Sequence, residues 1–384
     1  MTGAVTVLVG TTKGVFLLRS GAGRTGWRVS GPHCDGWPIN HVIGDPDTGA
    51  LYAAGGGEFQ GAGVWRSTDG GETWTLSLLA NGMMDAMLAE NPGMAEYLGR
   101  GPAPDAPFKG RISALWSLGL SGGILYAGAK PATLFASHDG GESWAEVEAL
   151  SNHPSRPEWE PGGAGLILHT IVGDPVEAGK LWVGVSSAGV FATEDGGKSW
   201  DRRNRLSNEG AVDHGHDHGH DGHELGHCVH NMVRAPGGGD LMYQQNHHGV
   251  FRSPDGGRSW QEITTGLPSG FGFPITVDPA DPQRIWTFPL NGDTKGRYPP
   301  GASAAVWRSE DGGDSWQAMT DGLPVKDCFF TVLRQAMAVD RATPTGVYFG
   351  TNSGSVFASA DRGARWDEIA RHLPTVLSVE VMTG

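Results

Sequence analysis

The chain alternates short apolar segments with a recurring polar turn. Pairs of apolar residues such as Val64-Trp65 stand just upstream of a motif that reads Ser/Thr-x-Asp-x-Gly-x-Ser/Thr-Trp, with Arg365 replacing the hydroxyl residue of the last copy. Short apolar runs bounded by Gly, Asp and Ser are typical of β-strands joined by tight turns. The six copies are Ser67–Trp74, Ser137–Trp144, Thr193–Trp200, Ser253–Trp260, Ser309–Trp316 and Ser359–Trp366.

The spacing of these copies predicts the fold. A degenerate seventh copy, which lacks the Asp of the motif, runs from Gly14 to Trp27. A period of about 50 residues with about four short strands per repeat predicts a seven-bladed β-propeller, an all-β fold. We expect one domain over 1–384, in which blade 1 combines residues 1–30 with residues 374–384. The apolar segment Thr375–Met382 would supply the inner strand of that blade and remove the open edge of the ring.

Each blade should contain strands A to D, counted outward from the central channel. Blade 4 is the clearest case, with expected strands Ile167–Gly173, Leu181–Val185, Gly189–Thr193 and Ser199–Arg203. The motif itself would form the C–D turn, where Asp and Ser/Thr side chains bond to nearby backbone and Gly accepts a positive φ. We therefore interpret its aspartates as structural residues.

Composition and charge narrow the range of partners. The formal net charge is −14, which disfavours a nucleic-acid partner. No apolar run is long enough to span a bilayer, and the N-terminus lacks the pattern of a signal peptide. Cys34, Cys228 and Cys328 cannot form a disulfide framework. These features together favour a cytoplasmic protein.

Loop lengths indicate which face of the propeller carries the function. The A–B turns and the C–D motifs are short, whereas every long insertion falls in a D–A or B–C connection. Those connections share one face of a propeller, and long loops on a rigid scaffold commonly carry function. We expect the site at the mouth of the channel on that face. The insertions are Thr75–Arg111, Ala145–Leu166, Asp201–His227 and Asn291–Ala304.

Histidines from several blades should meet at this mouth. His169 and His230 each stand five residues before the A–B turn of their blade, and His247 lies in the B–C turn next to His230. Imidazoles held on strands can ligate a metal or transfer protons near neutral pH. We predict these three as catalytic and metal-ligating residues, with Zn, Cu or Ni as the candidate ion. The candidate substrate-binding residues are Asn40, His41, Arg156, Gln245, Asn246 and Gln335.

A second explanation remains open for this cluster, since buried polar side chains can simply satisfy backbone groups and ordered waters. Cys328 precedes two phenylalanines and is interpreted as core, whereas Cys228 lies between His227 and Val229 close to the predicted site. A histidine-rich loop over 211–227 belongs to a D–A connection. Its weak metal ligands would be His214, His216, His218, His220 and His223, or the loop is simply solvated.

The repeated motif resembles the Asp-box (BNR) repeats of sialidases, sortilin-type receptors, xyloglucanases and a photosystem II assembly factor. The whole chain resembles bacterial single-propeller proteins described as sialidase-like or glycosyl hydrolase-like. The segments that carry this resemblance are Asn152–Arg156, Pro161–Gly163, Cys228–His230, Gln244–His247, Phe273–Ile275 and Gln335–Met337. The chain lacks the Arg-Ile-Pro signature of sialidases and has few arginines near the mouth: Arg156, Arg234, Arg297 and Arg334.

Three functional hypotheses follow. The first is an enzyme that acts on a small molecule at the histidine-rich mouth with assistance from a metal. The second, implied by the resemblance, is a glycoside hydrolase that uses carboxylates of the long loops. The third is a non-catalytic propeller whose loop face binds a protein or peptide. The carboxylates considered for the second are Glu58, Asp85, Glu158 and Glu160.

Overall fold

A computed structural model describes residues 3–207, 224–237 and 239–383, and these residues form seven four-stranded antiparallel sheets. Six sheets are built in chain order, and the seventh combines the first three strands with the last. The inner strand of each sheet contacts that of the next, and the ring closes where the last blade meets the C-terminal strand. The seven-bladed β-propeller predicted from the repeats is confirmed.

The first four blades contain the strands β1 to β15. Blade 1 has β1 (Val5–Thr11), β2 (Gly14–Arg19) and β3 (Arg28–His33); blade 2 has β4 (Ile39–Gly44), β5 (Leu51–Gly57), β6 (Gly61–Ser67) and β7 (Thr75–Asn81). Blade 3 has β8 (Ala114–Ser121), β9 (Ile124–Lys130), β10 (Leu134–Ser137) and β11 (Ala145–Glu146); blade 4 has β12 (Leu168–Gly173), β13 (Leu181–Val185), β14 (Gly189–Thr193) and β15 (Asp201–Arg202).

The last three blades and the closing strand complete the ring. Blade 5 has β16 (Val229–Arg234), β17 (Met242–Asn246), β18 (Val250–Ser253) and β19 (Gln261–Glu262); blade 6 has β20 (Gly272–Asp278), β21 (Asp281–Pro289), β22 (Val306–Ser309) and β23 (Gln317–Met319). Blade 7 has β24 (Met337–Val339), β25 (Val347–Gly350), β26 (Val356–Ser359) and β27 (Asp367–Ala370), and β28 (Val376–Thr383) follows it.

Closure of the ring follows the prediction. The strand β28 pairs antiparallel with β1, from Val5 opposite Thr383 to Thr11 opposite Val376. Val376 and Val379 are fully buried in the core between blades 7 and 1. A buried ion pair adds a second link, because Arg24 of blade 1 contacts the carboxylate of Asp340 in blade 7 at 2.9 Å. The two ends of the chain are thus joined by backbone pairing, apolar packing and charge.

The Asp boxes form the C–D turns. In the first copy Ser67 donates to Asp69 at 2.8 Å and accepts from the Gly71 amide at 2.9 Å. Thr73 donates to the second oxygen of the carboxylate at 2.6 Å. The same network recurs in the next four copies, and hydrogen bonds from Ser199 lower the pKa of Asp195 to about 2. In the last copy Arg365 lacks the hydroxyl, and only its amide donates to Asp361, at 2.9 Å. These carboxylates are engaged in turns and are poor proton donors at neutral pH.

Short helices occur only in connections on the loop face, within the described part of the chain. The insertion after blade 2 contains α1 (Met83–Glu90) and α2 (Pro92–Leu98), and α3 (Glu148–Ser151) follows blade 3. The insertion expected at Thr75–Arg111 begins later than predicted, because residues Thr75–Asn81 form the outer strand β7. No helix among the described residues has the length and apolar character needed to cross a membrane.

Candidate metal centre

A β-bulge in the inner strands shapes the rim of the channel. In blades 2 to 5 the pairing of the two inner strands shifts by one residue at the same position, and the extra residue is Asn40, Trp116, His169 or His230. A bulge redirects the side chain that it carries. The equivalent register of His169 and His230 inferred from their distance to the A–B turn thus has a structural cause, which Asn40 shares.

Three potential metal ligands meet beside the bulge of blade 5. One ligand atom each from Cys228, His230 and His247 lies within 4.8 Å of the other two. The Cys228 sulfur is 3.7 Å from Nε2 of His230. In a tetrahedral zinc site a sulfur and a nitrogen ligand are separated by about 3.5 Å, as follows from their bond lengths. The observed spacing therefore suits a shared ion.

The orientation of His230 is fixed by its neighbours. Its Nδ1 lies 2.5 Å from the carbonyl oxygen of Gly272, to which it can only donate. The ring packs against Phe271 and Phe273, with centroids 5.2 and 4.6 Å away. A hydrogen bond from the distal ring nitrogen to a carbonyl is the usual support of a metal-ligating histidine. This contact leaves the lone pair of Nε2 directed at the cysteine sulfur.

His247 is held next to the other two residues by the B–C turn. Its amide donates to the carbonyl of Cys228 at 3.0 Å, which ties the turn to the start of β16. Its ring is 5.3 Å from that of His230, centroid to centroid. Its Nε2 is 3.9 Å from a carboxylate oxygen of Asp293, on the long B–C connection of blade 6. The site therefore combines blades 5 and 6.

Burial keeps these groups neutral. Desolvation raises the pKa of the Cys228 thiol, although the charge of Arg334 partly offsets this effect. Desolvation also holds the pKa of His230 well below its usual value, and Arg334 and His247 lower it further. A thiolate–imidazolium pair is therefore disfavoured, whereas neutral imidazole is the form that binds metals.

The structure brings together two of the three predicted histidines, since His169 is not a member of the group of ligand atoms. His169 is 2% exposed, and burial and the charge of Arg334 hold its pKa well below the usual value. Its Nδ1 lies 2.9 Å from the Thr170 hydroxyl, and its Nε2 has no hydrogen-bond partner among the described residues. Its predicted catalytic role stays a prediction.

Four of the candidate substrate-binding residues have contacts that link parts of the propeller. Asn40 donates to the Leu115 carbonyl at 2.7 Å, and His41 accepts from the Leu118 amide at 2.9 Å, so that both join blades 2 and 3. Burial lowers the pKa of His41 to about 4. Gln335 donates to the backbone of His169 across the channel, and Arg156 donates to the Ala132 carbonyl at 2.7 Å.

The other two candidates are buried at the end of β17, just before His247. Gln245 is 1% exposed and donates to the carbonyls of Asn246, Gly249 and Gly270. Asn246 is fully buried and donates to the Gly226 carbonyl at 2.6 Å. These contacts support the backbone that carries His247. For all six candidates, substrate contact stays a prediction.

The prediction from sequence did not include Cys228 among the candidate metal ligands. Its position two residues before His230 is the sequence feature that could have indicated it. The five histidines of the histidine-rich segment lie outside the described residues: His214, His216, His218, His220 and His223.

Comparisons with known proteins agree with the architecture. The model of the BNR/Asp-box repeat family matches residues 65–76, which enclose the first complete box. The protein is a β-propeller with BNR/Asp-box repeats. A curated relative of this propeller, the oligoxyloglucan-reducing end-specific xyloglucanase of Emericella nidulans, is 25% identical over 220 residues. That match covers 50% of the propeller chain and 25% of the relative.

Solved structures with the same fold include glycoside hydrolases and a peptide-binding protein. The propeller superposes on the GH74 xyloglucanase of Xanthomonas campestris with a TM-score of 0.60 and 20% identity, covering 96% of its own chain and 55% of the enzyme. It superposes on YCF48 bound to D1 peptide with a TM-score of 0.52 and 16% identity. The match covers 86% of the propeller chain and 82% of the YCF48 chain. The propeller is glycoside hydrolase-like in fold, and it spans about half or less of the xyloglucanases.

Proposed function

We propose that the protein is an enzyme acting on a small molecule at the channel mouth, assisted by a divalent transition metal bound to Cys228, His230 and His247. The observation that carries the proposal is the convergence of three ligand atoms within 4.8 Å. One thiolate and two imidazoles form a ligand set that suits Zn²⁺ in tetrahedral geometry. A reducing cytoplasm, the expected location, would keep the thiol available.

The environment favours a metal over a free Cys–His nucleophile. Burial raises the pKa of the Cys228 thiol and lowers that of His230, which opposes proton transfer between them. A bound dication would supply the missing charge and stabilise the thiolate. The Gly272 carbonyl already sets the tautomer of His230 that coordination requires.

Three protein ligands among the described residues would leave a fourth position of the metal for a water or a substrate atom. Phe271 and Phe273 form an apolar wall beside His230, which limits the access of bulk water. A metal at this position would polarise a substrate oxygen as a Lewis acid. Asp293, 3.9 Å from Nε2 of His247 and paired with Arg297, borders the site as a fixed carboxylate.

The hypothesis of carboxylate catalysis has weaker support. Glu58 and Asp85 line a cavity of about 1010 Å³ beside α1. However, both oxygens of Asp85 accept hydrogen bonds, one from the Ala103 amide and one from Asn81, so that this carboxylate fixes the loop. Glu158 forms an ion pair with Arg202 at 2.9 Å. The glycosidase hypothesis therefore stays second to the metal-assisted enzyme.

Metal content after removal of the histidine-rich segment tests the proposal. Arg205 and Glu224 form a β-bridge, and the Leu225 amide donates to the Asn204 carbonyl at 2.9 Å. The chain on either side of residues 208–223 is therefore close together, and a short Gly-Ser linker can replace these residues. We expect the variant to keep the thermal midpoint of the full chain and to retain about one Zn²⁺ after dialysis, as a tight three-ligand site should. Loss of all tight metal, measured by elemental analysis of folded protein, would contradict the proposal.

A further inference from the structure

A positive charge that forms no ion pair among the described residues lies beside the proposed metal centre. Arg334 comes just before Gln335 in blade 7, and its carbonyl accepts a hydrogen bond from Asn231 at 2.8 Å. Its guanidinium carbon is 5.0 Å from the centre of the Phe273 ring, the same ring that packs against His230. Arg334 is thus held over the aromatic wall of the site.

The lack of an ion pair distinguishes Arg334, which is partly buried, from several other partly or fully buried arginines. Arg24, Arg234 and Arg284 each contact an aspartate at 2.9 Å or less. Arg334 has no ion pair within residues 3–207, 224–237 and 239–383, and its Nε is buried without a hydrogen-bond partner there. A buried charge is costly unless a partner compensates it. Arg334 therefore carries a charge without a direct ion pair among the described residues, and Asp293 raises its pKa only from beyond ion-pair distance.

A second arginine at the mouth provides an internal comparison. Arg297 also lies over Phe273, with its guanidinium carbon 5.8 Å from the ring centre. Its Nε contacts the carboxylate of Asp293 at 2.5 Å, which neutralises its charge. Of the two arginines over Phe273, Arg334 is therefore the one without an ion pair among the described residues.

The field of Arg334 reaches the proposed ligands. Its charge lowers the pKa of Cys228, His169 and His230. The surrounding aromatic rings provide a low-dielectric environment, in which a charge acts more strongly than in water. An anion that entered this part of the mouth would be attracted to the guanidinium and placed beside Cys228.

We propose that Arg334 binds the carboxylate or phosphate group of the substrate, so that the substrate is an anionic small molecule. A guanidinium presents paired donors that match the oxygens of either group. This inference rests on the proposed function in placing the active site at the mouth, but anion binding by Arg334 does not require the metal. A neutral sugar would leave the charge of Arg334 uncompensated.

Alkylation of Cys228 in metal-free protein tests the inference. Cys34 and Cys328 are buried and Cys228 is half-buried, so Cys228 can report on reagents at the mouth. We compare the rates of anionic iodoacetate and neutral iodoacetamide at Cys228, followed by peptide mass spectrometry. Because the ratio of rates cancels changes in the pKa of the thiol, it measures attraction of the anion. The Arg334→Gln substitution should lower this ratio about tenfold, equivalent to about 1.4 kcal/mol.

The matched controls are Arg334→Lys, which retains the charge and should keep most of the ratio, and Arg297→Gln, which should change it less than about twofold because Asp293 already neutralises Arg297. In a second arm, inorganic phosphate or acetate is added during iodoacetamide labelling. Protection by phosphate identifies a phosphate-bearing substrate, and protection by acetate a carboxylate. An unchanged ratio in folded Arg334→Gln protein, or no protection by either anion, overturns the inference.

The experiment separates this inference from the proposed function. It uses protein stripped of metal, so a missing metal site cannot abolish the expected ratio. Conversely, tight Zn²⁺ binding together with an unchanged ratio would leave the metal centre in place and remove Arg334 as the anion site.

Discussion

Removal of residues 375–384 should abolish cooperative unfolding of the protein. The truncation deletes β28, and with it the inner strand of blade 1 and two fully buried valines, Val376 and Val379. It also exposes the hydrogen-bonding edge of β1 along its whole length. Lost burial at about 1.5–3 kcal/mol per valine, together with the open edge, is comparable to the whole stability of a typical domain, about 5–15 kcal/mol. Circular dichroism melting and size-exclusion chromatography provide the measurement.

A circular permutant is the matched control for the truncation. Thr383 pairs with Val5, so the two ends of the chain meet at one end of the β28–β1 pair. Joining Gly384 to Met1 and opening the chain after Pro374 retains every strand and converts the closing pair into a hairpin. We expect this permutant to melt close to the original chain. A truncated protein that melted like the permutant would show that β28 does not close the ring.

Substitution of His230 should remove tight metal binding without unfolding the protein. His230→Ala deletes one of three proposed ligands, and even loss of a residue that only supports a ligand costs about 10- to 100-fold in metal affinity. We expect a decrease in Zn²⁺ affinity of at least about 100-fold for His230→Ala. Cys228→Ser, which replaces the sulfur with oxygen, should have a similar effect. Competition with a chromophoric chelator measures the affinity, in protein that lacks residues 208–223.

Two other histidines serve as controls for this experiment. His138 is exposed in an Asp box, and His138→Ala should leave the affinity unchanged. His169→Ala should also retain the metal, because His169 is not part of the group formed by Cys228, His230 and His247. Equal losses for His138→Ala and His230→Ala would mean that binding is non-specific. A large loss for His169→Ala with none for Cys228→Ser would restore the three-histidine site expected from the sequence.

The fold could be predicted because the repeat is local. Each Asp box uses residues at most four positions apart in the sequence, such as Ser67, Asp69 and Gly71, and their spacing alone defines the turn. The closing strand could also be predicted, since an apolar segment was left over after the last repeat. The helices α1 and α2 were not predicted. Their insertion lacks the periodicity of the blades, so the repeat pattern gave no expectation of its structure.

The sequence could predict the strand positions of the candidate site residues, but not how their side chains are arranged. The distance to the A–B turn placed His169 and His230 on the inner strands of their blades, where the structure has them. It could not show where each imidazole ring points. Directions depend on contacts between blades, such as the Gly272 carbonyl that orients His230. The unpaired state of Arg334 could not be inferred either, because ion pairs such as that of Arg297 with Asp293 depend on the folded loops.

X-ray absorption spectroscopy at the zinc edge tests the central claim most directly. The sample is protein in which a Gly-Ser linker replaces residues 208–223, loaded with one equivalent of Zn²⁺. Coordination by Cys228, His230 and His247 predicts one sulfur at about 2.3 Å and two imidazole nitrogens at about 2.0–2.1 Å, with a light atom in the remaining position. A first shell of nitrogen and oxygen alone, without sulfur, would contradict the proposed metal centre.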